Sequence, residues 1–223
     1  EKDPSYKFVA SRLLLNSLYK EVFGESSDRD AFELQYRKTF IVNLRKLIKA
    51  GIINKELAKF DLKKISDNLV IERDYNFAYL GLQTVYDRYL MHINDVKQET
   101  PQAFFMRVAM GLAVKEDKDK REEWAIKFYN VLSKFDFMCS TPTLFNSGGT
   151  FNQLSSCFLN TFEDSMQGIF DGLHQEALKN KYAGGVGMDL TNIRATNSYI
   201  RGTNGYTQGA VYFWKLFGDM LTA

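Results

Sequence analysis

The sequence has few of the residues that build metal sites and secreted disulfide frameworks. It contains two cysteines, Cys139 and Cys157, and two histidines, His92 and His174, among 223 residues. No Cys-x-x-Cys pair is present, and a single bridge would not make a disulfide framework in a chain of this size. We therefore interpret both cysteines as thiols and expect this chain to bind no metal directly.

The sequence also lacks a charge bias and any long apolar run. Its 29 lysines and arginines nearly balance 27 aspartates and glutamates, for a formal net charge of +2. Nothing here indicates an electrostatic surface for nucleic acid or a membrane. No run approaches the length of a membrane span, and the N-terminus shows no signal-peptide pattern. These absences predict a cytoplasmic protein with no nucleic-acid or membrane partner.

Charge density changes near residue 138. Of the first 138 residues 45 are charged, against 11 of the last 85. We therefore predict a helical domain over 1–138 and an α/β domain over 139–223. In the first part, Gly51 suits a left-handed helix cap, and Thr100 with Pro101 suits the start of a helix. Helical apolar spacing occurs in five segments: Ala10 to Val22, Phe32 to Leu47, Ala78 to Tyr89, Phe104 to Leu112, and Trp124 to Phe135.

The second part alternates between strand and helix patterns. It predicts strands at about 151–159 and 186–193, a helix at 165–181 and an amphipathic segment from Ala210. Such alternation is typical of a parallel α/β unit, in which ligands bind at the carboxyl ends of strands. We expect Cys157 near such an end. Asp164, three residues before Gln167, has the pattern of a helix N-cap.

Two interpretations of these features remain open from the residues alone. Cys157 follows two small hydroxyl residues, Ser155 and Ser156, that leave its sulfur accessible, but a buried strand cysteine is the more ordinary alternative. The AGGVG segment at 183–187 has no third glycine at the spacing of a dinucleotide fingerprint, and a tight turn would explain it. The helix after Asp164 places Met166, Ile169, Phe170, Leu173 and Ala177 on one face.

Four motifs in residues 138–210 resemble the catalytic large subunit of class I ribonucleotide reductase. The segments are STPTLFNSGG, NQLSSCFL, EDSMQGIFD and KYAGGVGMDLTNIRATNSYIRGTNG, in the family's order and at about its spacing. The preceding stretch, from SYKFVASRLLL to ETPQAFFMRVAMGLA, looks like the helical region of the same family. The resemblance implies an N-terminal all-helical domain followed by the first half of a ten-stranded α/β barrel.

The resemblance also implies a chemistry and a substrate. The family reduces ribonucleoside diphosphates to deoxyribonucleoside diphosphates for DNA synthesis, by thiyl-radical chemistry with a redox-active cysteine pair. Cys157 would be half of that pair, and Cys139 a core residue. Thr141, Ser156, Ala183 and Gly184 would contact the substrate.

Allosteric effectors and partners follow from the same resemblance. Asp164, Ser165 and Met166 would hold the nucleoside of a dNTP or ATP effector, bound with Mg, and Lys181, Arg194 and Arg201 its phosphates. The helix at 165–181 would form a homodimer. A small β subunit would carry the metal-radical cofactor, expected to be dinuclear, and thioredoxin or glutaredoxin would supply electrons.

Several motifs of that family are not found in these 223 residues. They are the Asn-x-Cys-x-Glu motif of the radical cysteine, the second cysteine of the pair, the relay tyrosines and the C-terminal thiol pair. We therefore expect the N-terminal piece of a divided large subunit, inactive without a second chain that carries the rest of the barrel. Two alternatives are a class II, cobalamin-dependent reductase and a non-catalytic nucleotide-binding or assembly module.

Overall fold

The computed structural model describes residues 3–24, 31–181 and 184–222. They form two compact units that divide between Leu154 and Ser155, later in the chain than the change of composition near residue 138. The segment after residue 138 belongs to the first unit because its side chains pack there. Leu144 is buried in the first unit's core, and the Ser147 hydroxyl donates to the Val108 carbonyl at 2.7 Å.

The first unit is helical. Two 3₁₀ helices, Lys55–Lys59 and Ile71–Asn76, connect the longer elements. Among the residues that the structure describes, no helix is both long and apolar enough to cross a membrane. A short antiparallel hairpin joins β1 (His92–Ile93) to β2 (Val96–Lys97). The α-helices are α1 (Tyr6–Phe23), α2 (Phe32–Lys49), α3 (Leu62–Asp67), α4 (Tyr79–Arg88), α5 (Pro101–Ala113), α6 (Arg121–Ser133) and α7 (Thr141–Asn146).

Helix α5 lies at the centre of the first unit. Pro101 occupies its first turn, as predicted, and nearly every side chain from there to Ala113 is buried. The other four predicted helical segments correspond to α1, α2, α4 and α6, and Gly51 has the expected positive φ of 73° after α2. The apolar spacing predicted from Trp124 to Phe135 was right only in part, since Phe128 packs against the core. Ala125, Tyr129 and Leu132 are its buried face, whereas Trp124 and Val131 are exposed.

The second unit begins with a parallel β–α–β arrangement, which confirms the predicted α/β unit. Strand β3 (Cys157–Thr161) pairs in parallel with β4 (Gly185–Asp189), and α8 (Met166–Lys181) connects them. Both strands are shorter than the predicted ranges. A hairpin of β5 (Tyr199–Ile200) and β6 (Gly205–Tyr206) and then helix α9 (Ala210–Thr222) follow, and no closed barrel forms among the described residues.

A small apolar cluster holds the second unit together. Phe162 and Phe217 pack with ring centroids 4.8 Å apart, and Ile169 of α8 and Ile193 complete the buried set. Burial alternates along β3, where Phe158 and Asn160 are half-buried and their neighbours are exposed. This alternation follows from the two-residue period of a strand. One face of the sheet therefore packs on α8, and the other is open.

Candidate functional site

Cys157 is exposed on the open face of the two-stranded sheet. It is the first residue of β3, so its predicted place near the carboxyl end of a strand was wrong. The difference arises because the parallel pairing begins at Cys157, opposite Gly185, and runs on to Thr161 and Asp189. A glycine opposite the thiol leaves space beside the sulfur.

Ser156 and Gly184 lie next to this thiol in the pairing. The Ser156 hydroxyl donates to the Cys157 sulfur at 3.7 Å, and its carbonyl accepts from the Gly185 amide at 2.7 Å. Gly184 is buried, and its amide donates to the Lys179 carbonyl at 3.0 Å. The Ser156 hydroxyl is therefore partly accessible beside the thiol, whereas Gly184 is enclosed by its own unit. Ala183, the other predicted contact in this segment, lies outside the described residues.

Thr141, the remaining predicted substrate contact, belongs to the first unit. It is the first residue of α7 and is exposed. Its hydroxyl oxygen lies 3.2 Å from the phenol oxygen of Tyr89. The hydroxyl is thus accessible and already has one protein partner.

Four of the six predicted effector residues line one cavity of the second unit. Asp164, Ser165 and Met166 approach it from the start of α8, and Arg194 approaches it from the segment after β4. The cavity has a volume of about 140 Å³. Sequence analysis missed its apolar wall, whose residues come from four separate segments that only the fold brings together. That wall consists of Ile169, Ile193, Ile200 and Phe213, and Thr207 also lines the cavity.

An ion pair closes one side of this cavity. The Arg194 Nε donates to an Asp164 carboxylate oxygen at 2.7 Å, and its Nη1 donates to the Tyr199 carbonyl at 3.3 Å. Asp164 was predicted to cap α8, but Ser165 is the cap, because its hydroxyl accepts from the Gly168 amide at 3.0 Å. The Asp164 carboxylate turns towards the guanidinium group instead. The pair ties the β5–β6 region to the start of the helix.

Lys181 and Arg201 are not among the residues that line this cavity. Lys181 is the last residue of α8, and a helix of 16 residues is about 24 Å long. Arg201 is exposed in the turn between β5 and β6. The structure therefore brings Arg194 to the cavity and leaves the other two predicted phosphate ligands away from its lining.

Helix α8 carries an exposed stripe that differs from its predicted apolar face. Ile169 and Leu173 pack inwards, but Met166 and Phe170 are exposed. With the exposed His174 and Leu178 they recur every four residues along the helix. Residues four apart share a helix face, so α8 presents one stripe to its own unit and a second to its surroundings.

Cys139 differs from Cys157 in its surroundings. It is partly buried and packs against the core of the first unit, and burial raises the pKa of its thiol. A raised pKa disfavours the reactive thiolate. Within residues 3–24, 31–181 and 184–222, no group of three or more histidine, cysteine, aspartate or glutamate residues lies close enough to hold a metal ion.

Comparisons with known proteins match both units. The family described as ribonucleotide reductase, all-alpha domain, matches residues 75–152, and ribonucleotide reductase, barrel domain, matches residues 155–223. Ribonucleoside-diphosphate reductase subunit alpha of Chlamydia trachomatis serovar D is 45% identical over 227 residues, covering 100% of this chain and 21% of the relative.

Two relatives of lower identity match the same residues of this chain. The subunit alpha of Helicobacter pylori (strain 26695) is 40% identical over 221 residues, and the large subunit of Monkeypox virus 38% identical over 225. These alignments cover 99% and 97% of this chain and 27% of each relative. The chain thus spans between a fifth and somewhat over a quarter of the length of these relatives. It belongs to the ribonucleotide reductase large-subunit family.

Proposed function

We propose that this chain contributes a redox-active thiol, Cys157, to the catalytic subunit of a ribonucleoside-diphosphate reductase. The observation that carries the proposal is the exposed sulfur at the start of β3, opposite a glycine and beside the Ser156 hydroxyl. Two thiols would give up two electrons and two protons to form a disulfide, and the substrate's hydroxyl would leave as water. Cys157 would be one of these thiols, and the second would lie outside these 223 residues.

The initiating radical chemistry requires a cofactor, which we assign to a separate small subunit, with a dinuclear metal site expected there. Thioredoxin or glutaredoxin would then reduce the disulfide. Transient catalytic disulfides need surroundings that keep thiols reduced, which supports a cytoplasmic location. Thr141, Ser156, Ala183 and Gly184 would hold the diphosphate and ribose through hydroxyl and backbone groups.

The test of the thiol compares two substitutions in a full-length large subunit that carries this sequence. We expect Cys157→Ser to reduce turnover to background while nucleotide binding remains, and Cys139→Ser to retain turnover. Equal loss in both variants would contradict the assignment. Nucleotide binding without turnover in the unsubstituted protein would favour a non-catalytic module, and turnover with adenosylcobalamin but no small subunit would favour a class II enzyme.

We further propose that the Asp164–Arg194 cavity is the nucleoside end of an allosteric site for a dNTP or ATP with its Mg. Asp164, Ser165 and Met166 would contact the nucleoside, and the isoleucine and phenylalanine side chains of the cavity would pack against its rings. Guanidinium and ammonium groups pair with phosphate oxygens, so Arg194, Arg201 and Lys181 would serve the triphosphate.

The length of α8 decides how Lys181 would act. Lys181 lies about 22 Å along the helix from Met166, farther than one triphosphate would span from the cavity. If two copies of α8 pair in antiparallel orientation about a two-fold axis, the end of one helix meets the start of the other. We therefore assign the phosphate contact to Lys181 of the partner subunit.

The dimer-dependent contact has a direct test. Binding of dATP to the full-length subunit is measured for Lys181→Ala, Asp164→Ala and an equal mixture of the two variants. In the mixture some dimers contain one site with both native groups, so we expect part of the lost affinity to return. A mixture as weak as either single variant would show that both groups act within one protomer.

A further inference from the structure

We propose that Tyr89 is a positioning residue for Thr141, fixing the direction in which the threonine hydroxyl meets substrate. The inference rests on the proposed role of Thr141 as a substrate contact. Its starting observation is the 3.2 Å separation between the two hydroxyl oxygens, across 52 residues of sequence. Thr141 is exposed, so without a protein partner its hydroxyl would rotate among staggered positions.

The Tyr89 ring is held on two sides. It stacks against Phe104 of the buried helix α5, with centroids 6.0 Å apart and planes inclined by 23°. It also meets Phe145 of α7, at 4.8 Å and 53°. Aromatic contacts at these separations restrict the ring. Because Phe145 belongs to the same helix as Thr141, the phenol is fixed relative to the helix that carries its partner.

A buried guanidinium group fixes the backbones of the same two segments. Arg107 has no exposed surface and donates from Nη2 to the Tyr89 carbonyl at 3.3 Å. Its Nη1 donates to two carbonyls around the end of α7, those of Ser147 at 2.7 Å and Leu144 at 3.3 Å. One side chain thus sets the position of Tyr89 relative to α7.

Glu99 holds this guanidinium group in place. Arg107 Nε donates to its carboxylate at 2.7 Å, and Nη2 donates to the second oxygen at 3.2 Å. The second oxygen also accepts from the Met91 amide at 2.9 Å. A buried ion pair with its remaining donors satisfied gives a defined geometry, which suits a residue that sets the distance between two segments.

The chemistry of the ligand determines the direction of the hydroxyl contact. Phosphate oxygens only accept hydrogen bonds, so Thr141 must donate its one hydrogen to the substrate. Its oxygen is then an acceptor towards the protein, and the Tyr89 phenol is the donor that fills this place. The pair would present an oriented hydrogen to an anionic group.

The experiment is a double-mutant cycle in the full-length large subunit, with CDP as the ribonucleoside diphosphate. Tyr89→Phe removes the phenol hydroxyl and keeps the ring between Phe104 and Phe145. Thr141→Val removes the partner hydroxyl at similar volume. Tyr86→Phe is the matched control, because Tyr86 lies on α4 and its hydroxyl donates to Glu21 instead.

We expect Tyr89→Phe to raise KM for CDP roughly two- to tenfold, the usual effect of one lost hydrogen bond, with kcat nearly unchanged. Tyr86→Phe should leave KM unchanged. In the Thr141→Val background, Tyr89→Phe should add nothing, since the phenol acts only through Thr141. A purely structural role would instead lower the melting temperature and leave KM unchanged.

Two outcomes overturn the inference, and they differ in whether the proposed substrate contact of Thr141 fails as well. If Thr141→Val weakens CDP binding but Tyr89→Phe does not, or if their effects add, Tyr89 has no positioning role and the substrate contact stands. If Thr141→Val leaves KM unchanged, the proposed substrate contact fails, and the role of Tyr89 fails with it.

Discussion

Asp74 is a carboxylate with no exposed surface in the helical core of the first unit. It accepts hydrogen bonds from the Tyr19 hydroxyl at 2.6 Å, the Tyr36 hydroxyl at 2.8 Å and the Gln102 amide at 2.9 Å. Burial raises its pKa to about 6 although all three hydrogen bonds lower it. Desolvation of the charge therefore outweighs the hydrogen bonds that favour the charged form.

This shift gives the unfolding free energy a definite pH dependence. Between about pH 4 and pH 6 the folded chain binds more protons at Asp74 than the unfolded chain does. The stabilising contribution is thus complete below the unfolded pKa and is lost as pH rises through the folded pKa, about 3 kcal/mol in all. Asn cannot titrate, so the Asp74→Asn variant should lose about 2 kcal/mol more, relative to the unsubstituted chain, at pH 4.5 than at pH 7.5.

Urea unfolding of both chains at the two pH values measures this difference. Trp124, in the first unit, reports unfolding by fluorescence once Trp214 is replaced by Phe in both chains. The other titrating groups are common to both proteins and cancel in the comparison. Parallel stability profiles for the two chains would show that Asp74 has an ordinary pKa in the folded state.

The packing of helix α8 on the second unit's core depends on a residue without a side chain. A Cβ atom at Gly172 would lie 1.9 Å from the Phe162 ring, which is buried against Phe217. The ring cannot yield easily, so Gly172→Ala should destabilise the second unit by about 1–3 kcal/mol. Gly218→Ala on α9 is the matched control, because nothing lies within 4 Å of its Cβ position. There alanine should stabilise by about 0.5–1 kcal/mol through helix propensity.

Thermal unfolding followed by Trp214 fluorescence, with Trp124 replaced by Phe in each chain, compares the two glycine variants. Opposite shifts of the melting temperature are the expected result. Equal shifts would mean that helix propensity alone determines the change in melting temperature at both positions. Helix α8 could then move away from Phe162 at little cost in free energy.

The exposed stripe of α8 is the surface through which we propose that two copies of the subunit pair. Phe170 lies near its middle, between Met166 and His174, and a charge placed there would be buried by an antiparallel copy. Burying an unpaired charge costs several kcal/mol, so Phe170→Glu should convert a full-length dimer to monomer at micromolar concentration. Gln175→Glu adds the same charge at an exposed position off the stripe and should leave the dimer intact. Sedimentation velocity distinguishes the two, and a dimeric Phe170→Glu variant would place the interface elsewhere.

Local sequence patterns predicted where the helices lie, but contacts between residues distant in sequence determined the cap of α8 and the position of Cys157 on its strand. Thr100 and Pro101 predicted the start of α5, since a first-turn proline acts through its own backbone. The cap of α8 was assigned to Asp164 because the competing partner, Arg194, lies 30 residues away. The place of Cys157 on its strand depends on its pairing with Gly185, which no local pattern specifies. The motifs named Asp164 and Arg194 as site residues, and the fold added the apolar wall of their cavity.

At the scale of the whole molecule, the two units differ in how far each covers its own apolar residues. The first unit buries a continuous cluster that extends from Leu15 to Leu144. Among its described residues, the second unit fully buries Phe162, Ile169, Ile193 and Phe217. Leu159 of β3 is 89% exposed, and Trp214 of α9 is 65% exposed. Large exposed apolar side chains on a sheet and a helix are typical of surfaces that pack against further protein.

This contrast predicts that the 223-residue chain on its own unfolds in two steps. A small core contributes less stabilisation than a large one, so the second unit should unfold at lower urea concentration than the first. Each unit contains one tryptophan, Trp124 in the first and Trp214 in the second. The single-tryptophan variants Trp214→Phe and Trp124→Phe therefore report the units separately. The Trp214 signal should change first, and coincident midpoints would show that the two units fold as one cooperative structure.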